Sequence, residues 1–104
     1  MLSEPVGSGK ITSGTKTVTA SATPEALVSS STPCRGVLLA ARTTQNTGAA
    51  ANTNPVFVGD AAAQKMPIPV AAVQPTVYLA VDDAAKVYVR AITNGDGVEY
   101  IIFL

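Results

Sequence analysis

The stretch KVYVRAITNGDGVEYIIFL, residues 86–104, decides the fold. Its first part alternates: Val87, Val89 and Ala91 fall on one side of an extended chain, with Lys86, Tyr88 and Arg90 on the other. A period of two is the mark of a strand with one buried face. Asn94-Gly95-Asp96-Gly97 then supplies residues that tolerate positive φ, so the pattern predicts a tight turn joining two strands as a hairpin. In VEYIIFL, Val98, Tyr100, Ile102 and Leu104 share one face while Ile101 and Phe103 occupy the other. A strand apolar on both faces belongs inside a sandwich or beneath a neighbouring subunit. Because chain ends are usually solvated, an apolar terminus such as Leu104 is expected to pack against something.

Working outward, TVYLAV (76–81) alternates in the same way, with Val77, Leu79 and Val81 set against Thr76, Tyr78 and Ala80. DDAA (82–85) is a short connection between the two alternating runs. KTVTASA (16–22) places Val18, Ala20 and Ala22 on one side and reads as a half-buried strand, and PEALVSSS (24–31) as a short second one. RGVLLAAR (35–42) is a short apolar run with an arginine at each end, suited to a strand buried on both faces. PVFVGD (55–60) is a brief strand closed by a turn. Pro67, Pro69 and Pro75 exclude a regular helix from residues 61–75 and leave a crossing loop or an edge strand. Residues 1–15, rich in Gly, Ser and Thr, read as an extended N-terminal arm. The expectation is one all-β domain over 16–104, a β-sandwich or jelly roll of seven to eight short antiparallel strands.

Composition narrows the function. A chain of 104 residues holds one modest core. Charged residues make up 13% and cancel to zero, against roughly 25% in ordinary soluble domains. A surface so weakly charged is poorly protected against self-association and offers no basic excess for nucleic acid. The chain has no histidine, which removes the commonest general base and metal ligand, and its single cysteine, Cys34, cannot form an intrachain disulfide. No apolar run reaches the roughly 20 residues of a membrane-spanning helix, and the first residues do not resemble a secretory leader.

The remaining candidates for chemistry each have a plainer reading. GSGK (7–10) lacks the upstream glycine and the following Ser/Thr of a phosphate-binding loop. Asp60, Asp82, Asp83 and Asp96 fit turn-capping roles, and the spacing matches no calcium loop. Cys34 has no base beside it in sequence, and reads as a structural thiol. Arg35, Arg42, Lys86 and Arg90 are a conceivable basic strip, and Tyr78, Tyr88 and Tyr100 a conceivable stacking platform, but both sets suit strand surfaces as well. No catalytic, metal or cofactor-binding residue is expected.

STPCRGVLL (31–39), VFVGD (56–60), VDDAAKVYV (81–89) and NGDGVEY (94–100) occur in an order that resembles small β-sandwich structural proteins of tailed bacteriophages. The resemblance covers about residues 16–104. It implies a non-enzymatic virion protein, made in the bacterial cytoplasm and sited on the capsid surface as a cement or decoration protein. It further implies a homo-oligomer, with a trimer favoured, that binds the major capsid protein and neither nucleic acid nor membrane. A fibre or tail module binding a host carbohydrate or receptor, or a head–tail adaptor, is the alternative. Candidate assembly contacts are Val6, Lys10 and Ile11 on the arm and Ile101, Phe103 and Leu104 at the other terminus.

Overall fold

A computed structural model describes residues 10–42, 51–70 and 76–104. Eight strands form two four-stranded antiparallel sheets, as the alternation predicts. They are β1 (Ile11–Thr17), β2 (Glu25–Ala26), β3 (Gly36–Ala41), β4 (Val56–Gly59), β5 (Met66–Ile68), β6 (Thr76–Leu79), β7 (Tyr88–Ala91) and β8 (Gly97–Phe103). Sheet I has the order β1-β8-β3-β6 and sheet II the order β2-β7-β4-β5. Between the sheets lies one apolar core. Val37, Leu39, Ala41, Val98 and Ile102 enter it from sheet I, and Val56, Val58, Ile68, Val89 and Ala91 from sheet II. A core of Val, Ile and Leu fits such an interior because branched side chains fill a pleated, closely spaced layer.

Strands that follow one another in sequence usually lie in opposite sheets, and among the described strands only β4 and β5 pair directly with their sequence neighbour. The expected hairpin at 94–97 is therefore corrected. β7 pairs with β2 and β4, β8 pairs with β1 and β3, and the turn arches across the sandwich. Its polar groups explain the choice. Gly95, at φ +92°, donates its N–H to the Val18 carbonyl at 2.8 Å, and Val18 donates back to the Asp96 carbonyl at 2.9 Å. The Asp96 side chain is only 3% exposed and accepts from the N–H groups of Thr53 and Asn54 at 3.0–3.2 Å. The Asn52 amide both donates to and accepts from the Gly97 backbone, at 2.8 and 2.9 Å. These bonds satisfy the turn from two neighbouring loops, so it needs no partner strand across a hairpin.

Three further differences from the sequence reading have local causes. β1 begins at Ile11, inside the expected arm, because residues 11–17 pair along the whole of β8, from Ile11↔Phe103 to Thr17↔Gly97. Ala20 and Ala22, placed by alternation on a buried strand face, instead sit in an exposed turn, where Ala22 takes φ 65°. The DDAA connection is a single 3₁₀ turn, Ala84–Lys86, capped by the Asp83 side chain, which accepts from Ala85 N–H at 2.9 Å.

On one side of the sandwich the sheet edges are tied together by charge. Lys16 of β1 meets Glu25 of β2 at 3.0 Å, and the second Glu25 oxygen accepts from the backbone N–H groups of Thr19 and Ala20 and from the Thr19 hydroxyl, each at 3.1 Å. The Lys16 ammonium, followed by these hydrogen bonds, holds the Glu25 carboxyl below the ordinary glutamate value.

Candidate functional site

The outer face of sheet I gathers three of the six assembly contacts the sequence nominates, Ile11, Ile101 and Phe103. Register fixes its rows. Ile11 pairs with Phe103, and Phe103 with Gly36; Ser13 pairs with Ile101, Ile101 with Leu38, and Leu38 with Tyr78. The next row runs Thr15, Glu99, Ala40, Thr76. Alternation sends the chain neighbours of these residues inward, so this face holds Ile11, Leu38, Tyr78, Ile101 and Phe103 without an apolar layer built over them among the described residues. Ile11 is 59% exposed and Tyr78 54% exposed. Lys10 and Leu104 sit beside the first row, the Leu104 N–H donating to the Lys10 carbonyl at 2.8 Å. Val6 lies outside the described residues.

The two ends of this face differ in shape. At the first end the side chains are large. Tyr78 leans on Phe103 with ring centroids 6.1 Å apart, its hydroxyl donates to the Arg35 carbonyl at 3.3 Å, and its ring covers Gly36 so closely that no Cβ fits there. At the other end Thr15, Ala40 and Thr76 are small. Between the ends a concavity of about 350 Å³ crosses all four strands, bordered by Ser13, Leu38, Ala40, Thr76, Glu99 and Ile101. Glu99 accepts from the Thr15 hydroxyl at 2.8 Å through one carboxyl oxygen. The other oxygen is shielded from solvent and has no hydrogen-bond partner. A buried acceptor left unpaired is costly and marks a place where a donor is wanted.

The other candidates are dispersed. Asp83 accepts from the Ser31 hydroxyl at 2.5 Å and from Thr32 N–H at 2.8 Å, and these bonds, Ser31 first, lower its pKa. Asp82 pairs with Lys86 at 2.8 Å, raising the lysine pKa. Asp60 accepts from the N–H groups of Ala62 and Ala63 at 3.0 and 2.8 Å. All three therefore do local work on turns. The Cys34 thiol faces the Val81 carbonyl at 3.4 Å. The arginines do not form a strip: Arg42 is buried and bonded to Thr17 and Gly95, while Arg90 stacks 4.6 Å above the Phe57 ring on sheet II. Nor do the tyrosines share a platform: Tyr78 is on the outer face of sheet I, Tyr88 lies on sheet II, and the Tyr100 ring packs over Gly14 with its hydroxyl in the space of the missing Cβ. Among the described residues no three His, Cys, Asp or Glu side chains are placed to hold a metal ion.

Leu38, Tyr78 and Glu99 are the members of the face that the sequence reading left out as contacts. Leu38 was hidden inside a run that reads as buried on both faces; in the structure it is half-buried while Val37 and Leu39 are fully buried. The signal available was Glu99 itself, a charged residue interrupting an otherwise apolar strand. No family model matches the chain, and no curated protein or solved structure matches it.

Proposed function

We propose that this chain is a non-enzymatic structural protein of a tailed-phage virion, a cement protein that binds the outside of the capsid as a homo-oligomer and holds neighbouring major capsid subunits together. The virion part of this reading rests on the resemblance of residues 16–104. The observation that carries the assembly part is the outer face of sheet I, where Ile11, Leu38, Tyr78, Ile101 and Phe103 form one apolar surface on a chain with only 13% charged residues. An apolar surface of this kind costs solubility in a free monomer and is recovered when a partner covers it. A ligand that binds only the assembled shell favours assembly over dissociation by mass action, so no reactive group is required.

The test is cosedimentation with phage capsids that lack the protein. Saturation at a fixed ratio to the major capsid protein, with a rise in the temperature at which the shell opens, is the expected result. No capsid binding, together with binding to host cells or to glycans, would transfer the protein to a fibre.

A further inference from the structure

We infer that Asn94 is a modification site held in check by the fold: the Asn94–Gly95 link converts to a succinimide, losing ammonia, only when the corner at residues 18–22 parts from the arch. The inference is independent of the virion reading above. It begins in the sequence. Of Asn46, Asn52, Asn54 and Asn94, only Asn94 precedes a glycine. Glycine has no side chain to hinder its nitrogen, so in an open chain the Gly95 nitrogen reaches the Asn94 side-chain carbonyl carbon. A base takes the N–H proton, the new N–C bond closes a five-membered ring, and the side-chain amine leaves as ammonia. Water then opens the ring at either carbonyl, giving aspartate or isoaspartate. Asn54 precedes Pro55, which has no N–H to lose, and Asn52 precedes the β-branched Thr53.

The folded chain occupies both reacting groups. Gly95 donates its N–H to the Val18 carbonyl at 2.8 Å, and a carbonyl cannot take the proton away. Ser21 donates its N–H to Asn94 Oδ1 at 2.6 Å, which anchors the carboxamide to the corner. Both partners are themselves fixed. The Val18 side chain is fully buried, and its N–H bonds to the Asp96 carbonyl at 2.9 Å. Ser21 stands between Ala20, whose N–H the Glu25 carboxylate holds at 3.1 Å, and Ala22, whose N–H reaches the Ala91 carbonyl at 2.8 Å. Asn94 is nevertheless exposed, so water and base reach it without deep unfolding. The barrier is the loss of two hydrogen bonds at one corner, an opening of the local kind. Asp96–Gly97 has the same spacing of groups. There both residues are buried, the Gly97 N–H is bonded to Asn52, and the carboxylate has no amine to expel.

The change runs one way. Isoaspartate inserts a methylene into the backbone of a turn whose length is fixed by bonds to Val18 and Asn52. It also leaves a new carboxylate two residues before the buried Asp96. A modified arch therefore closes poorly, and a chain that has opened keeps a covalent record of it.

The experiment incubates the purified chain at mildly alkaline pH, in buffer and in guanidinium chloride. Peptide mass spectrometry follows Asn94 as a gain of about 1 Da, and circular dichroism confirms the fold of each variant. In denaturant Asn94 should react ahead of the other asparagines, and in buffer at least about tenfold more slowly. Glu25→Ala frees the corner and should raise the rate in buffer about threefold or more, with no change in denaturant. Ile102→Val loosens the core and leaves every bond of the corner in place, so it should move that rate less than about twofold. Should Glu25→Ala fail to fold, hydrogen exchange of the Gly95 N–H in the wild type takes its place. Its protection and the slowing of modification should agree within about threefold. Equal rates in buffer and denaturant, equal acceleration by Glu25→Ala and Ile102→Val, or a Gly95 N–H that exchanges freely while Asn94 stays intact would overturn the inference.

Discussion

Sheet II keeps its outer face occupied with its own groups, whereas sheet I leaves its outer face apolar. On sheet II the Arg90 guanidinium lies over Phe57 and also donates to the Gln64 carbonyl, so an aromatic ring is covered and a cation is bonded within the same subunit. Its edge strands are blunted too: β2 is two residues long, and β5 carries Pro67, which has no N–H to offer a neighbouring chain. On sheet I the corresponding surface is Ile11, Ile101, Phe103, Leu38 and Tyr78 around an underbonded Glu99, and the edge strand β1 runs seven residues without a proline. One sheet bonds its outer ring and cation within the subunit, and the other leaves its outer apolar row uncovered. The contrast assigns different jobs to neighbouring residues of one strand, and that can be tested.

The largest expected effect separates the two faces of β8. Ile102 points into the core and is 1% exposed, while Ile101, the next residue, lies on the outer face. Ile102→Ala removes buried volume and should cost about 3 kcal/mol of folding free energy. Ile101→Ala should cost less, about 1 kcal/mol, since Ile101 is only half-buried in the subunit. Urea denaturation at low micromolar concentration is the measurement. Equal losses at the two positions would mean that both faces of β8 are interior to one subunit, and the contrast between the sheets would collapse.

How much of this was legible beforehand follows from what alternation can report. It identified the buried sides of β6, β7 and β8, because Val77, Leu79, Val87, Val89, Val98 and Ile102 repeat at a period of two. It also placed Ile101 and Phe103 on the face opposite Ile102. It could not report which strands would be neighbours. The arch at 94–97 depends on long-range bonds from Val18, Asn52 and Thr53 to Gly95, Asp96 and Gly97, and nothing local distinguishes that arch from a hairpin. The extent of β1 escaped for a related reason: ITSGTKT has little apolar periodicity of its own, and becomes a strand by pairing with β8. The corner at residues 19–25 escaped as well, since Thr19, Ala20 and Glu25 look unremarkable until the carboxylate gathers the backbone around it.

That corner gives a smaller, pH-dependent test of how the two sheets are joined. Glu25 belongs to sheet II and its partner Lys16 to sheet I. Its pKa is lowered in the folded chain, by Lys16 first, so the contribution it makes is present above the ordinary glutamate value of 4.5 and is lost as pH falls through the lower folded value. Glu25→Gln should therefore be less stable than the wild type at pH 7, by about 1 kcal/mol or less because the pair is partly exposed. The difference should shrink below about pH 4.5. Denaturation curves of both proteins between pH 7 and pH 3 supply the comparison. A gap that persists at pH 3 would show that shape and hydrogen bonding at the corner, rather than charge, hold the edges together.

The smallest expected effect lies on the same corner and has the opposite sign. Ala22 holds φ 65°, in the left-handed region where a Cβ crowds the backbone, and its N–H donates to the Ala91 carbonyl of β7 at 2.8 Å. The strain is tolerated because that bond fastens the link leaving sheet I to the central strands of sheet II. Ala22→Gly removes the Cβ clash, worth about 1–2 kcal/mol, and adds backbone entropy to the unfolded chain, which takes back part of the gain. A net stabilisation of about 0.5 kcal/mol follows, read as a rise in melting temperature of a few degrees for a domain of this size. A loss of stability would mean that the unfolded-chain entropy outweighs the clash, and that the crossing between sheets is held chiefly by the Ala22–Ala91 bond and the Glu25 carboxylate.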